Sequence, residues 1–158
     1  MPTLAGFIIF IQNVMGISSV VLPVDSPSIV YAFNVALMTV NPQIACAGYP
    51  PCPMVPGNAW SWYALAVYNL AGDRLVNYAP DQSGQTYFAN LRSNQGFNLN
   101  NFVAGVVTNT GDNGTNAGLT TPTQFQAMTV ADLQNLKTPW GREYLGIAQS
   151  VGTLVGLT

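Results

Sequence analysis

At 158 residues, with four lysines and arginines, six acids and no histidine, the chain has a formal net charge of −2, and charged residues make up 6% of it against about a quarter of an ordinary soluble domain. So few cations give no electrostatic footprint for gripping phosphates, and the missing histidine removes the commonest general base and neutral metal ligand, which argues against tight nucleic-acid binding and against enzyme chemistry. The length predicts one domain burying about two-thirds of its unfolded surface, and a mean hydropathy of +0.26 points to a surface largely covered by neighbours.

Residues 4–22 contain no charge, and the first in the chain is Asp25. The stretch is long enough to cross a bilayer. Gly6, Gln12, Asn13, Gly16, Ser18 and Ser19 interrupt it, and it lacks flanking Lys or Arg, a basic leader and a small-residue cleavage site. It is therefore read as neither a membrane span nor a signal peptide. Leu4, Phe7, Ile8, Ile11, Val14 and Met15 fall at helical spacing, predicting a helix over 3–15 that is buried along most of its circumference and ended by Gly16. Asp25-Ser26-Pro27 marks the next start, with Ser26 as cap and Pro27 in the first turn, where its missing N–H costs nothing. Ile29, Val30, Phe33, Leu37 and Val40 then share one face, and Asn41-Pro42 stops the helix.

GYPPCPMVPGN, over 48–58, is a loop by its proline and glycine content. Cys46 and Cys52 enclose AGYPP, a spacing that matches no zinc or redox motif; a disulfide and free thiols both stay open. A further helix is expected over 60–78, with Tyr63, Ala64, Val67, Leu70, Ala71 and Leu75 inward and Asp73-Arg74 on the wetter side. After a Ser83-Gly84 turn, residues 86–92 support a short helix closed by Gly96. The composition then turns to Val, Thr and Phe around Asp112-Asn113-Gly114, whose tolerance of positive φ suits a tight turn. A β-hairpin or extended loop is expected over about 97–122, with strands near 102–108 and 117–121 and a bulge at Gly105. Asp112, Asn113 and Gly114 form its contact tip.

Asp132, Lys137, Arg142 and Glu143 cluster in TVADLQNLKTPWGREYLGIAQ, over 129–149. Thr129 caps a short helix; Thr138-Pro139 breaks it and restarts a second. An uncharged tail, SVGTLVGLT, follows and docks either on its own bundle or on a partner. The six acids, Asp25, Asp73, Asp81, Asp112, Asp132 and Glu143, each have an ordinary place at a helix start, beside an arginine or in a turn. With no nucleophile–base pair, metal cluster or phosphate loop, no catalytic, cofactor-binding or metal residue is assigned, and the block reads as a polar hinge between bundle and tail.

LKTPWGREYLGIAQ resembles the C-terminal signature of head-to-tail adaptor (head completion, connector) proteins of tailed bacteriophages, in which a TP-aromatic-G-x-x-Y-L run follows a helical body. YALAVYNLAGDRL is similar to their long central helix and SIVYAFNVALMTVNP to an earlier one, so the likeness extends over residues 26–158. It implies a mainly α fold: a small helical bundle (about 3–93) with an inserted β-hairpin or extended loop (about 97–122), then C-terminal helices and a short tail (129–158), all one domain. It implies also a structural virion protein, without cofactor, assembled in the host cytoplasm and forming a ring of commonly twelve copies at the neck. That ring would bind the portal protein above and a tail or neck protein below, and pass DNA without holding it. Trp140, Arg142, Glu143 and Tyr144 would then organise the last helix at the portal or a neighbouring subunit, with Leu154, Val155 and Leu157 anchoring the tail. The alternatives are another virion component, such as a tail terminator or minor capsid protein, and a small holin-type membrane protein resting on residues 4–22, with 63–71 as a second candidate stretch.

Overall fold

The run WYALAVYNLAGDRLVNY is apolar or small on every side of a helix, and such a helix is stable when other elements surround it. The computed structural model describes residues 1–45, 61–95, 106–110, 117–120 and 134–151, and in it this run is the central element. The helices are α1 (Leu4–Asn13), α2 (Pro27–Thr39), α3 (Trp62–Tyr78), α4 (Tyr87–Gln95) and α5 (Pro139–Val151), with a 3-10 turn at Pro42–Ala45. The protein is mainly α. Two short strands, β1 (Val106–Thr110) and β2 (Ala117–Thr120), pair antiparallel, with a register shift between Val107 and Asn109. Cys46, Cys52, the proline-rich loop, Gly96, Gly105, the Asp112-Asn113-Gly114 tip, Thr129, Asp132 and the tail residues Leu154, Val155 and Leu157 lie outside the described residues.

Helix α3 is buried from Tyr63 to Val76 except at Leu65 and Arg74. It begins at Trp62, two residues later than the spacing alone suggests, because the Ser61 hydroxyl accepts from Ala64 N at 3.2 Å and fixes the first turn there. One side of α3 packs against α1 and α2 through a ring cluster, Phe7, Phe10, Phe33 and Tyr68, with centroids 5.9 to 6.5 Å apart along its contacts. The far end of α3 is closed by α4. Arg92 donates to the Val76 and Ala79 carbonyls at 3.0 and 2.9 Å, satisfying acceptors that the end of a helix leaves open. Asp81, expected to be a turn residue, is also the cap of α4: its carboxylate accepts from Phe88 N at 2.6 Å and Ala89 N at 3.0 Å.

The outer helices depart from expectation in three respects. Phe7, Phe10 and Ile11 of α1 are buried while Ile9 and Val14 are exposed, so one face of α1, not most of its circumference, is covered. Ser26 precedes α2 as anticipated, but its hydroxyl makes no cap bond; Pro27 has no N–H to offer, and Ile29 N instead reaches the Ser26 carbonyl at 3.1 Å. On α2, Ile29, Phe33 and Val40 are buried as expected, together with Ala32 and Ala36, while Val30 and Leu37 are exposed. The alanines let α2 approach α3 closely, which turns its buried stripe away from Val30 and Leu37. Gly16, at φ +68°, ends the α1 region as expected, and Gly84, at φ +78°, makes the turn before α4.

The start of α1 is tied to the middle of α3. Thr3 caps α1 by accepting from Gly6 N at 3.1 Å. Thr3 N donates to the Tyr68 hydroxyl at 3.0 Å, and that hydroxyl donates to the Thr3 carbonyl at 3.2 Å. A methyl at Gly6 would overlap the same hydroxyl, so Gly6 is required by the approach. Tyr68→Phe keeps the ring packing and removes both bonds; it is expected to cost about 1–2 kcal/mol in urea unfolding and to speed amide exchange selectively in the first turn of α1.

Candidate functional site

Polar groups carried into an apolar interior are the natural place to look for a site, because each must be satisfied or perturbed. Asp73, Asn135 and Thr138 are buried together where α3 meets the start of α5. Thr138 is the cap of α5 and Pro139 its first residue. The Thr138 hydroxyl accepts from Gly141 N at 2.9 Å and donates to Asp73 Oδ1 at 2.6 Å. A hydroxyl has one proton to give, so donating it to Asp73 aims a lone pair at Gly141; the two bonds set one another's geometry. Arg142 N reaches the Thr138 carbonyl at 3.1 Å, opening the helical ladder, and Arg142 Nη1 donates to the Leu136 carbonyl at 3.0 Å. Gly141 sits so close that a methyl there would overlap the Asn135 carbonyl and come within 2.8 Å of Asp73 Oδ1.

Asp73 is 0% exposed, against the expectation that it lies with Arg74 on the wetter side of its helix. The physical reason is that α3 has no wet side at this level. Asp73 follows fully buried Leu70 by three positions and Ala66 by seven, so the turn that carries them inward carries it too. Its Oδ2, like Asn135 Oδ1, has no hydrogen-bond partner among the described residues. Burial pushes the Asp73 carboxyl up to about 6, against the pull of the Thr138 hydroxyl, Arg74, the Asn77 amide and Lys137. Between the ordinary value of 3.8 and about 6 the folded protein holds a proton that the unfolded chain has released. Stability therefore falls as pH rises through that window, by about 3 kcal/mol in all. A carboxyl enclosed in this way acts on the fold: it orders Thr138 and thereby the start of α5.

The other residues singled out from sequence are distributed around this centre. Trp140 is half-buried and packs against Gly72, whose missing side chain makes room for Met15. Tyr144 is buried, with Leu145, Ile147 and Ala148, in the face of α5 that covers α3. Arg142 is half-buried and Glu143 exposed, so of these four Glu143 is the most open to solvent. At the Thr138-Pro139 junction the threonine is buried and the proline exposed. Asp73 and Asn135 were missed as members of the cluster. The available signal was a carboxylate set between LAG and RL in a helix with no polar side.

Comparison with protein-family models, curated proteins and solved structures returns no match.

Two measurements probe the cluster. Asp73→Asn keeps an acceptor for Thr138 and removes the charge, so the loss of unfolding free energy between pH 4 and pH 7 is expected to be about 2 kcal/mol smaller in the variant than in the parent. Gly141→Ala is expected to destabilise by about 3 kcal/mol or more, whereas Gly146→Ala, whose methyl meets nothing within 4 Å, stabilises by up to about 1 kcal/mol. Chemical denaturation of the pair reads the contrast.

Proposed function

We propose that the chain is a structural virion protein, an adaptor whose copies form a ring at the portal-proximal neck of a tailed phage, joining head to tail and continuing the DNA channel. The observation that carries this reading is the surface. Tyr31, Met38, Trp62 and Tyr78 stand exposed on a folded helical body whose chain has 6% charged residues. A free monomer would hold these side chains in water; a subunit packed between copies covers them. The resemblance of residues 138–145 and of the α3 sequence to the adaptor family supplies the particular assembly, the twelve-fold ring and the portal as partner. Each copy carries −2, so a channel lined by such subunits neutralises few phosphates and lets DNA pass. Among the described residues no helix is long and apolar enough to cross a membrane, and so no observation favours the holin-type alternative.

The reading places the portal contact in the uncharged segment after Gln149. Native mass measurement of the purified chain, alone and mixed with the portal ring of its phage, is expected to show a ring that binds the portal. Removing residues 150–158 is expected to weaken that binding at least about tenfold, a loss of roughly 1.4 kcal/mol. Normal occupancy of portals by the truncated chain contradicts the assignment.

A further inference from the structure

Helix α2 is apolar on two opposite sides. Ile29, Ala32, Phe33, Ala36 and Val40 form the buried side. Val30, Tyr31, Leu37 and Met38 point out and are 41%, 58%, 38% and 86% exposed. At 3.6 residues per turn the outward set spans an arc of about 120°, with Asn34 near its middle. No Lys, Arg, Asp or Glu occurs between Pro27 and Thr39. The outward face of a surface helix is normally where such residues stand. The apolar surface continues onto α3, where Tyr78 and Arg74 join Tyr31 and Pro27 around an open cavity of about 330 Å³.

We infer that this outward face of α2, extended by Tyr78, is where one copy of the chain packs against another. The inference rests on the assembly reading above and names its contact. Three features favour a second copy over another occupant. The α2 part of this face carries no charge and Arg74 is the one cation lining the cavity beside it, so a like chain of low charge meets it with little repulsion, whereas a strongly charged partner would leave most of its charges desolvated and unpaired. Asn34 is exposed in the middle of the apolar arc and carries both donors and an acceptor, so another uncharged, amide-bearing surface can satisfy it. A single amide within an apolar helical seam also fixes register between copies. Finally, the exposed parts of Val30, Tyr31, Leu37, Met38 and Tyr78 amount to on the order of 600 Å², near the roughly 800 Å² per partner of a stable interface. A lipid surface would instead call for a Lys- and Arg-rich rim, which α2 lacks.

The test compares the parent chain with Tyr31→Glu/Met38→Glu and, as a control, Val20→Glu at an exposed position outside α2. Native mass and light scattering over a dilution series read association; circular dichroism reads the fold. The double variant is expected to raise the dissociation constant at least about a hundredfold with its helical signal intact, while Val20→Glu associates like the parent. If the added charges unfold the chain, Tyr31→Ala/Met38→Ala removes area alone and is expected to weaken association at least about tenfold. A parent that associates, with folded α2 variants that associate equally well, overturns this contact and leaves the assembly reading standing. Equal loss in Val20→Glu also overturns it. A parent that stays monomeric at every concentration overturns the assembly reading and the contact with it.

Discussion

The buried hydrogen bond from Thr138 to Asp73 is the constraint on which the C-terminal part of the bundle depends. Helix α5 has 13 residues, a length at which isolated helices are marginal, so its position comes from packing and from the way its first turn is fixed. Asp73 takes the hydroxyl proton, the hydroxyl takes the Gly141 N–H, and Gly141 lies against the Asn135 backbone with no room for a side chain. The arrangement buries a carboxyl with one oxygen unpartnered among the described residues. That burial opposes stability at neutral pH, and the packing of Tyr144, Leu145, Ile147 and Ala148 over α3 offsets it.

The start of α1 follows the same plan with different chemistry. Thr3 caps α1, and Tyr68 of α3 holds both the N–H and the carbonyl of that threonine. Helix α3 thus fixes the first turn of the helix at each end of the described fold through a threonine: once by a phenol that costs little to bury because both its bonds are made, once by a carboxyl that costs more. Gly6 and Gly141 are the close-approach positions that admit these contacts. Gly72 serves the packing between them by admitting Met15.

Much of this was legible in the sequence where stereochemistry acts locally. Pro27 and Pro139 each begin a helix, Gly16 and Gly84 take positive φ, and the apolar run from Tyr63 to Leu75 is the central helix. What was not legible depends on neighbours distant in the chain. Spacing ranks α1 as apolar along most of its circumference and gives α2 one apolar face, but which arc is covered is decided by where α3 lies, leaving Ile9, Val14, Val30 and Leu37 outside. Charge suggested that Asp73 faces water, and the completeness of burial around α3 overrode it. The tie itself joins residues 65 positions apart, a relation that no local pattern encodes.

A chain with ten charged positions at most, one of them buried at Asp73, has little charge with which to keep its exterior monomeric, and its exposed aromatic and aliphatic side chains stand on helices held firmly by α3. On the proposed reading such a body packs permanently among copies, with closed rotational symmetry covering these faces on every copy at once. Electron microscopy of the purified chain tests this claim most directly. The account predicts closed rings with a central channel, each subunit showing the helical body; a uniform field of single 16.8 kDa particles would contradict it.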